Sequence, residues 1–238
     1  MIILSIDSSS KVATAALLDD KGLIAEYTLN NKLEHSVLIM DMIDKILKDS
    51  NLTIKDIDGF VVSKGPGSFT GLRIGMATIK GLSFGSNKPY ISVSSLDALA
   101  YSLINFSGII CPVMDALRDS VYTCLYKSIN GKLEKLTDYE ALDLKDLSEL
   151  LNSKEEKVLF AGDGLIKYEN YLKENVNNAF FAPKHLSLIR ASSLGELGLN
   201  LLSEGKSDNP DSAPFYLKKP QAQRELESRL GLNNEHKL

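Results

Sequence analysis

One pattern constrains this chain more than any other: the order strand, strand, strand, helix, strand, helix occurs twice, and each copy opens on an apolar strand running into an aspartate. In the first copy, IILSID (2–7), VATAALL (12–18) and LIAEYTLN (23–30) are short apolar or alternating runs split by polar turns, which predicts an antiparallel meander. EHSVLIMDMIDKILKD (34–49) reads as a helix, GFVVS (59–63) as a strand, the segment from Gly71 to Gly85 as a second helix, YISVS (90–94) as a strand and SLDALAYSLI (95–104) as a helix. The second copy begins with GIICPVMDA (108–116) and SVYTCLYKS (120–128) and continues the meander through KLEKLTDYEAL. A helix near 143–152, a strand at 157–163, a helix at 164–176, a strand at 179–183 and a long helix at 187–205 follow. Strands and helices interleaved in this way predict an α/β protein made of two similar units around a cleft, with boundaries at 1–105 and 106–215. The tail begins with turn residues and ends in a helix near 221–230 that is expected to pack back on the body, while NNEHKL at the end is expected to fray.

Composition narrows the function. The 238 residues carry 27 basic and 31 acidic side chains, a net charge of −4, which argues against a stand-alone nucleic-acid binder. The one small basic cluster, LKKPQAQR (217–224), reads as a solvated turn and helix start. No run approaches the roughly 20 apolar residues of a membrane helix. The first residues lack a basic region ahead of their apolar run, so no signal peptide is expected and the location is read as cytoplasmic. Cys111 and Cys124 fall on predicted neighbouring strands and are expected to be reduced core thiols; no CxxC pair supports zinc.

Two stretches could bear chemistry. Asp7 ends a strand and leads into Ser8, Ser9 and Ser10. In a phosphotransferase such an aspartate holds metal-bound water while the turn amides hold phosphate, with Asp115 as its mirror in the second unit. The alternative is that the carboxylate and serines only satisfy turn amides, and three serines where close approach favours glycine make a poor cradle. The second stretch is SKGPGSFTGLRIGMATIKGLSFG (63–85). Gly65, Gly67 and Gly71 precede or open a helix, a place where anions bind, but neither the lysine of a P-loop nor the spacing of a dinucleotide fingerprint is present. Ser68 and Thr70 are candidate caps, with Thr70 better placed. The alternative here is a capped strand-to-helix turn.

The helices themselves carry a further signal. Gly71, Gly75, Ala77, Gly81 and Gly85 put small residues four apart, and each internal glycine costs a helix roughly 1 kcal/mol relative to alanine. Something should therefore pack close against that backbone, either its own sheet or another helix. In the helix at 34–49, Val37, Leu38, Ile39 and Met40 point all round, and Met42, Ile43, Ile46 and Leu47 follow, an apolar arc wider than one face requires. The expected partner interface is Val37, Leu38, Ile39, Met42 and Ile46 with Gly71, Leu72, Gly75, Met76 and Ile79. His35, His185 and His236 show no metal-binding spacing, and no GxSxG elbow appears, so neither a zinc protease nor a serine hydrolase is supported.

Taken together, IDSSS, HS at 35–36, KGPGSFTGLRIGMATIKGL, VSSLDALA and MDALRDSVYTCLY resemble the TsaB family, also called YeaZ, over nearly the whole chain to PFYLKKPQAQ. GPGSFTGLR is the specific part of the match. The resemblance implies the fold shared by actin, sugar kinases and Hsp70 (ASKHA), two ribonuclease-H-like domains. It implies a role in placing threonylcarbamoyl on adenosine 37 of tRNAs that read codons beginning with A, as a non-catalytic partner of the paralogue TsaD, with the ATPase TsaE. It also implies a helix-bundle contact with TsaD, or with a second copy, through the helices 34–49 and 71–85. TsaD holds its metal with two histidines four apart; aligned on VSSLDALA, those positions are Ser95 and Leu99, and leucine cannot ligate a metal. The expectation is therefore no catalytic residue, no metal and no required cofactor, with a vestigial phosphate site at Asp7, Ser8, Ser9, Ser10, Gly65, Gly67 and Asp115 that leaves room for weak ATP or ADP binding. tRNA would be contacted indirectly. The alternative is an active ATPase or phosphotransferase of the same fold.

Overall fold

A computed structural model describes residues 1–30 and 35–218. The helix expected near 221–230 and the terminal NNEHKL lie outside the described residues, as does the side chain of Val37. In the first half, β1 (Ile3–Asp7), β2 (Val12–Asp19), β3 (Gly22–Asn30), β4 (Gly59–Gly65) and β5 (Tyr90–Ser94) form one sheet in the spatial order β3-β2-β1-β4-β5. The first three pair antiparallel as the meander predicted, and β4 and β5 run parallel to β1.

The second half contains β6 (Ile109–Pro112), β7 (Met114–Asp115), β8 (Ser120–Thr123), β9 (Tyr126–Ile129), β10 (Lys132–Lys135), β11 (Glu140–Asp143), β12 (Val158–Ala161) and β13 (Ala179–Phe181). Its main sheet runs β10-β9-β6-β12-β13, so third, second, first, fourth and fifth strands take the places their counterparts take in the first sheet. The copy is imperfect. The expected strands 108–116 and 120–128 each break in two, and β7 and β8 leave with β11 to make a separate three-stranded sheet. The break falls at Val113, whose amide donates to the Ala161 carbonyl at 2.7 Å while its own carbonyl accepts from Gly164 at 3.1 Å.

Among the described residues, six helices cover the sheets: α1 (His35–Asp49), α2 (Phe69–Ser86), α3 (Ser95–Tyr101), α4 (Leu144–Asn152), α5 (Leu165–Asn175) and α6 (Ala191–Ser203). Period-two alternation sorts the first sheet's side chains between its faces. Leu4, Ile6, Ala15, Leu17, Phe60 and Val62 pack with Ile39, Met42, Ile43 and Ile46 of α1 and Met76 and Ile79 of α2. Ile3, Ala16, Leu18, Val61, Ile91 and Val93 face the other way, toward α3 and α6.

That second face corrects the domain boundary expected at 106–215. α6 comes from the end of the described chain, yet it lies across β1, β2, β4 and β5 of the first sheet. Two glycines allow the approach: a Cβ on Gly195 would stand 2.5 Å from Leu18, and one on Gly198 would overlap Val61. Three polar side chains of the meander anchor the helix start. Ser5 Oγ donates to the Ala191 carbonyl at 2.8 Å, Thr14 Oγ1 accepts from Ala191 N at 3.3 Å, and Glu26 accepts from Ser192 N at 2.9 Å. Glu26 also pairs with Arg190. A carboxylate at a helix N-terminus is favourable because the free amides and the macrodipole both point positive charge at it. The first unit thus takes its back-face helix from beyond residue 190.

Candidate functional site

The carboxyl-terminal ends of β1 and β4 meet the N-terminus of α2, and there the two chemistry-bearing stretches come together. Asp7 is fully buried at the end of β1. Its carboxylate accepts from Ser9 N at 3.1 Å and from Ser9 Oγ at 3.0 and 3.1 Å. The hydroxyls continue inward: Ser95 Oγ donates to Ser9 Oγ at 3.1 Å, and Ser63 Oγ bonds Ser95 Oγ at 2.6 Å. Ser63 Oγ also accepts from Gly65 N at 3.2 Å. Asp7, Ser9, Ser95 and Ser63 are each at most 2% exposed, so four side chains make one closed hydroxyl–carboxylate chain. Burial pushes the Asp7 carboxyl up to about 6 even though the hydrogen bonds from Ser9 oppose the shift.

The glycine loop packs against this chain. Ser68 N donates to the Ser9 carbonyl at 2.6 Å, and Ser8 Oγ donates to the Gly71 carbonyl at 2.8 Å. A Cβ on Gly67 would overlap the Ser9 carbonyl, and one on Gly71 would overlap the Ser8 carbonyl. On Gly75 it would stand 2.7 Å from Ser8 Oγ. These three glycines therefore make room for the chain's own β1–β2 turn. The cap is Ser68, not Thr70: α2 begins at Phe69, and Ser68 Oγ accepts from Gly71 N at 3.3 Å. Ser10 stands slightly apart, its hydroxyl accepting from Val12 N at 3.1 Å.

Asp115 does not join this group. It accepts from Leu117 N at 3.0 Å and pairs with Lys167, while its own amide donates to Asp163 Oδ1 at 3.1 Å. Asp163 lines a cavity of about 30 Å³ with Ser10, Lys11, Leu99 and Ser187, room for about one water and far below a nucleotide. Burial pushes the Asp163 carboxyl up from its usual range. Leu99 is 1% exposed and belongs to the apolar core. Among the described residues no group of three or more His, Cys, Asp and Glu side chains has metal-binding geometry.

The expected interface needs correction as well. Ile39, Met42, Ile46, Leu72, Met76 and Ile79 are at most 5% exposed, Gly71 and Gly75 are buried, and Leu38 packs against the same core. The first sheet takes most of the small and apolar residues expected to face a partner, because its face needs cover from both helices. What the two helices leave outside is a different set. Phe84 is 92% exposed and Met40 49%. Around Gly81 and Gly85 there is open space where a Cβ would stand. A groove of about 510 Å³ runs beside them, lined by Ile54, Lys55, Leu82 and Lys88.

Residues 206–218, the described part of the tail expected to pack on the body, form a strap across it. Asp208 accepts from Ser92 N at 3.1 Å, Tyr90 OH donates to the Asn209 carbonyl at 2.7 Å, and Phe215 N donates to the Lys64 carbonyl at 2.7 Å. The Tyr216 ring lies 4.7 Å from that of Phe69, at the start of α2. Lys218 then reaches the second unit, donating to the Ala116 carbonyl at 3.3 Å. The aromatic pair PFY was the available signal for this contact. Among the described residues no helix is long and apolar enough to cross a membrane.

The family model for tRNA N6-adenosine threonylcarbamoyltransferase, TsaD, matches residues 22–226. The Bacillus subtilis tRNA threonylcarbamoyladenosine biosynthesis protein TsaB is 41% identical over 162 residues, covering 68% of this chain and 71% of that one. The Escherichia coli TsaB is 34% identical over 129 residues, and that match spans about half of each protein, 53% and 55%. The fold is similar to a Pseudomonas aeruginosa crystal structure described as an uncharacterized protein with similarity to peptidase YEAZ. The TM-score is 0.78 at 22% identity, over 91% of this chain and 99% of the other. The repeated 3-2-1-4-5 sheet is accordingly the ASKHA fold that the sequence implied. At 41% identity to a relative of which it spans 71%, the chain belongs to the TsaB (YeaZ) family of tRNA threonylcarbamoyladenosine biosynthesis proteins.

Proposed function

We propose that this chain is a non-catalytic scaffold subunit, acting in the cytoplasm, that binds and activates TsaD, together with TsaE, for threonylcarbamoyl transfer to adenosine 37 of ANN-decoding tRNAs. The observation that carries this reading is the closed chain from Asp7 through Ser9 and Ser95 to Ser63. Ser95, aligned with a metal histidine of the catalytic relative, spends its hydroxyl inside the chain, and the loop that would hold phosphate is filled by Ser8 and Ser9. A site whose donors already bond one another offers nothing to a metal or phosphate without breaking those bonds, and an unpaired buried donor or acceptor costs roughly 1–3 kcal/mol. No cofactor of its own enters this scheme, and tRNA is held mainly by the partner.

TsaD is proposed to dock on the outward side of α1 and α2, around Met40, Gly81, Phe84 and Gly85, and free copies to pair through the same face. Exposed apolar side chains beside open glycines supply contact area and close backbone approach. Reconstitution with TsaD, TsaE and an enzyme supplying the threonylcarbamoyl-adenylate donor, with and without this chain, tests the role: modification should depend on it, and equal rates in its absence would overturn the reading. Gly81→Arg and Phe84→Asp should abolish co-elution with TsaD while the melting temperature holds, since neither position packs inside the protomer. Normal binding by both variants would move the docking face elsewhere.

A further inference from the structure

Across the boundary between the two units runs one apolar core. Leu96, Leu99 and Val93 from the first unit are continuous with Ile110, Met114, Cys124 and Tyr126 from the second. One carboxylate stands at the edge of that core. Asp97, in the first turn of α3, accepts from Tyr126 OH at Oδ1 and from Tyr139 OH at Oδ2, both at 2.7 Å. Tyr126 lies on β9 and Tyr139 immediately before β11, so both donors come from the opposite unit. Tyr126 is 1% exposed. Burial first and the Asp97 charge second push both phenols well above their ordinary range, which keeps them protonated as donors. The strap meets the same place from outside: the Phe215 ring lies 5.9 Å from that of Tyr139, and Lys135 Nζ sits 4.4 Å over the Tyr139 ring.

We propose that Asp97, Tyr126 and Tyr139 form a lock that fixes the angle between the two units, with the strap 206–218 as its outer tie. A two-unit protein moves about its cleft by default unless the shared interface is large and apolar. Here the interface is apolar, and its polar member is satisfied only at one closure angle, because opening separates a carboxylate from two hydroxyls at once. Charge-assisted hydrogen bonds are the stronger kind, roughly twice neutral ones. The lock leaves the chain a single rigid body whether or not it pairs with TsaD.

The test is hydrogen exchange on the full chain. The double variant Tyr126→Phe, Tyr139→Phe keeps both rings and removes the two hydroxyl donors to Asp97, together with the exposed 3.4 Å bond that Tyr139 OH accepts from Lys135 Nζ. Amides in 124–141 and 206–218 should exchange at least tenfold faster, while β1 and β2 keep their protection. Small-angle scattering should show an increased radius of gyration. Phe215→Ala, which leaves the Asp97 carboxylate paired, should raise exchange in the strap and around Tyr139 by a smaller factor. Unchanged exchange in the double variant would overturn the lock, as would a uniform rise through β1 and β2, since that would make the three residues contributors to general stability only.

Discussion

Asp7 ends the opening strand of the first unit, while Asp115 lies on β7, just past the break that ends the second unit's opening strand β6, and their surroundings are opposite. Asp7 is fully buried, bonded by Ser9 and packed beneath the glycine loop. Asp115 is half-buried, pairs with Lys167 and takes an amide bond from its own turn. The duplication preserved strand order and let the chemistry diverge, because a position in a sheet dictates where a side chain stands but not what its neighbours offer it. The first site was closed by fitting two backbone segments together; the second was neutralised by a salt bridge in partial contact with water.

The sharpest way to break this contrast is to reopen the first site. Gly71→Ala places a Cβ into the Ser8 carbonyl, so backbone must shift, and the variant should lose roughly 3 kcal/mol of unfolding free energy, the upper end of overpacking costs. Gly81→Ala, on the same helix with open space around it, should be neutral or gain up to about 1 kcal/mol. Denaturant titrations of both decide the matter: equal effects would mean that Gly71 is not held by the turn.

Next in size is the charge on Asp7. Burial raises its carboxyl from 3.8 to about 6 in the folded protein, so the fold prefers the protonated form. Below about pH 3.8 there is no penalty; as pH rises through about 6 the folded protein must ionise a buried acid, and stability is lost. Between pH 4 and pH 8 that loss is about 2 kcal/mol. Asp7→Asn abolishes this dependence, so the stability difference between wild type and variant should shift toward the variant as pH rises. A difference that is flat from pH 4 to pH 8 would place the carboxylate in a wetter setting than the hydroxyl chain allows.

The smallest effect belongs to the second site. Lys167→Ala removes an ion pair whose lysine faces water, and exposed pairs contribute little and fade with salt. Its unfolding midpoint should stay close to wild type and converge on it in high salt. A loss as large as that of Gly71→Ala would erase the distinction between a sealed and an open site.

The legible parts of the molecule were those set by local periodicity and turn chemistry. Alternation in 23–30 and the apolar runs at 2–7 and 12–18 located the meander, and the recurrence of the pattern located the second sheet. The glycines were legible as close approaches but not as to what approaches. Gly71 and Gly75 accommodate a turn sixty residues upstream, while Gly81 and Gly85, spelled identically, face open space. Four-residue spacing cannot tell these apart, because the neighbour is supplied by a long-range contact. β1 and β2 nevertheless held an unread clue. They are buried on both faces, and strands covered on both sides read as nearly continuous apolar runs. Ser5 and Thr14, polar residues within those runs, mark where α6 docks. The break at Val113 and the split of the second meander leave no comparable trace.

The crossing of α6 onto the first sheet has a consequence for how the protein is made. A ribosome releases β1 through β5 long before residue 191 emerges, and in that interval Ile3, Ala16, Leu18 and Val61 lack α6, with only the short α3 on their side of the sheet. Domains generally fold as units during synthesis, and an apolar sheet face left bare is prone to aggregate. The newborn first half must therefore either wait unfolded or be shielded by a chaperone until some two hundred residues have been translated, so a truncation just before α6 should precipitate where the full chain stays in solution.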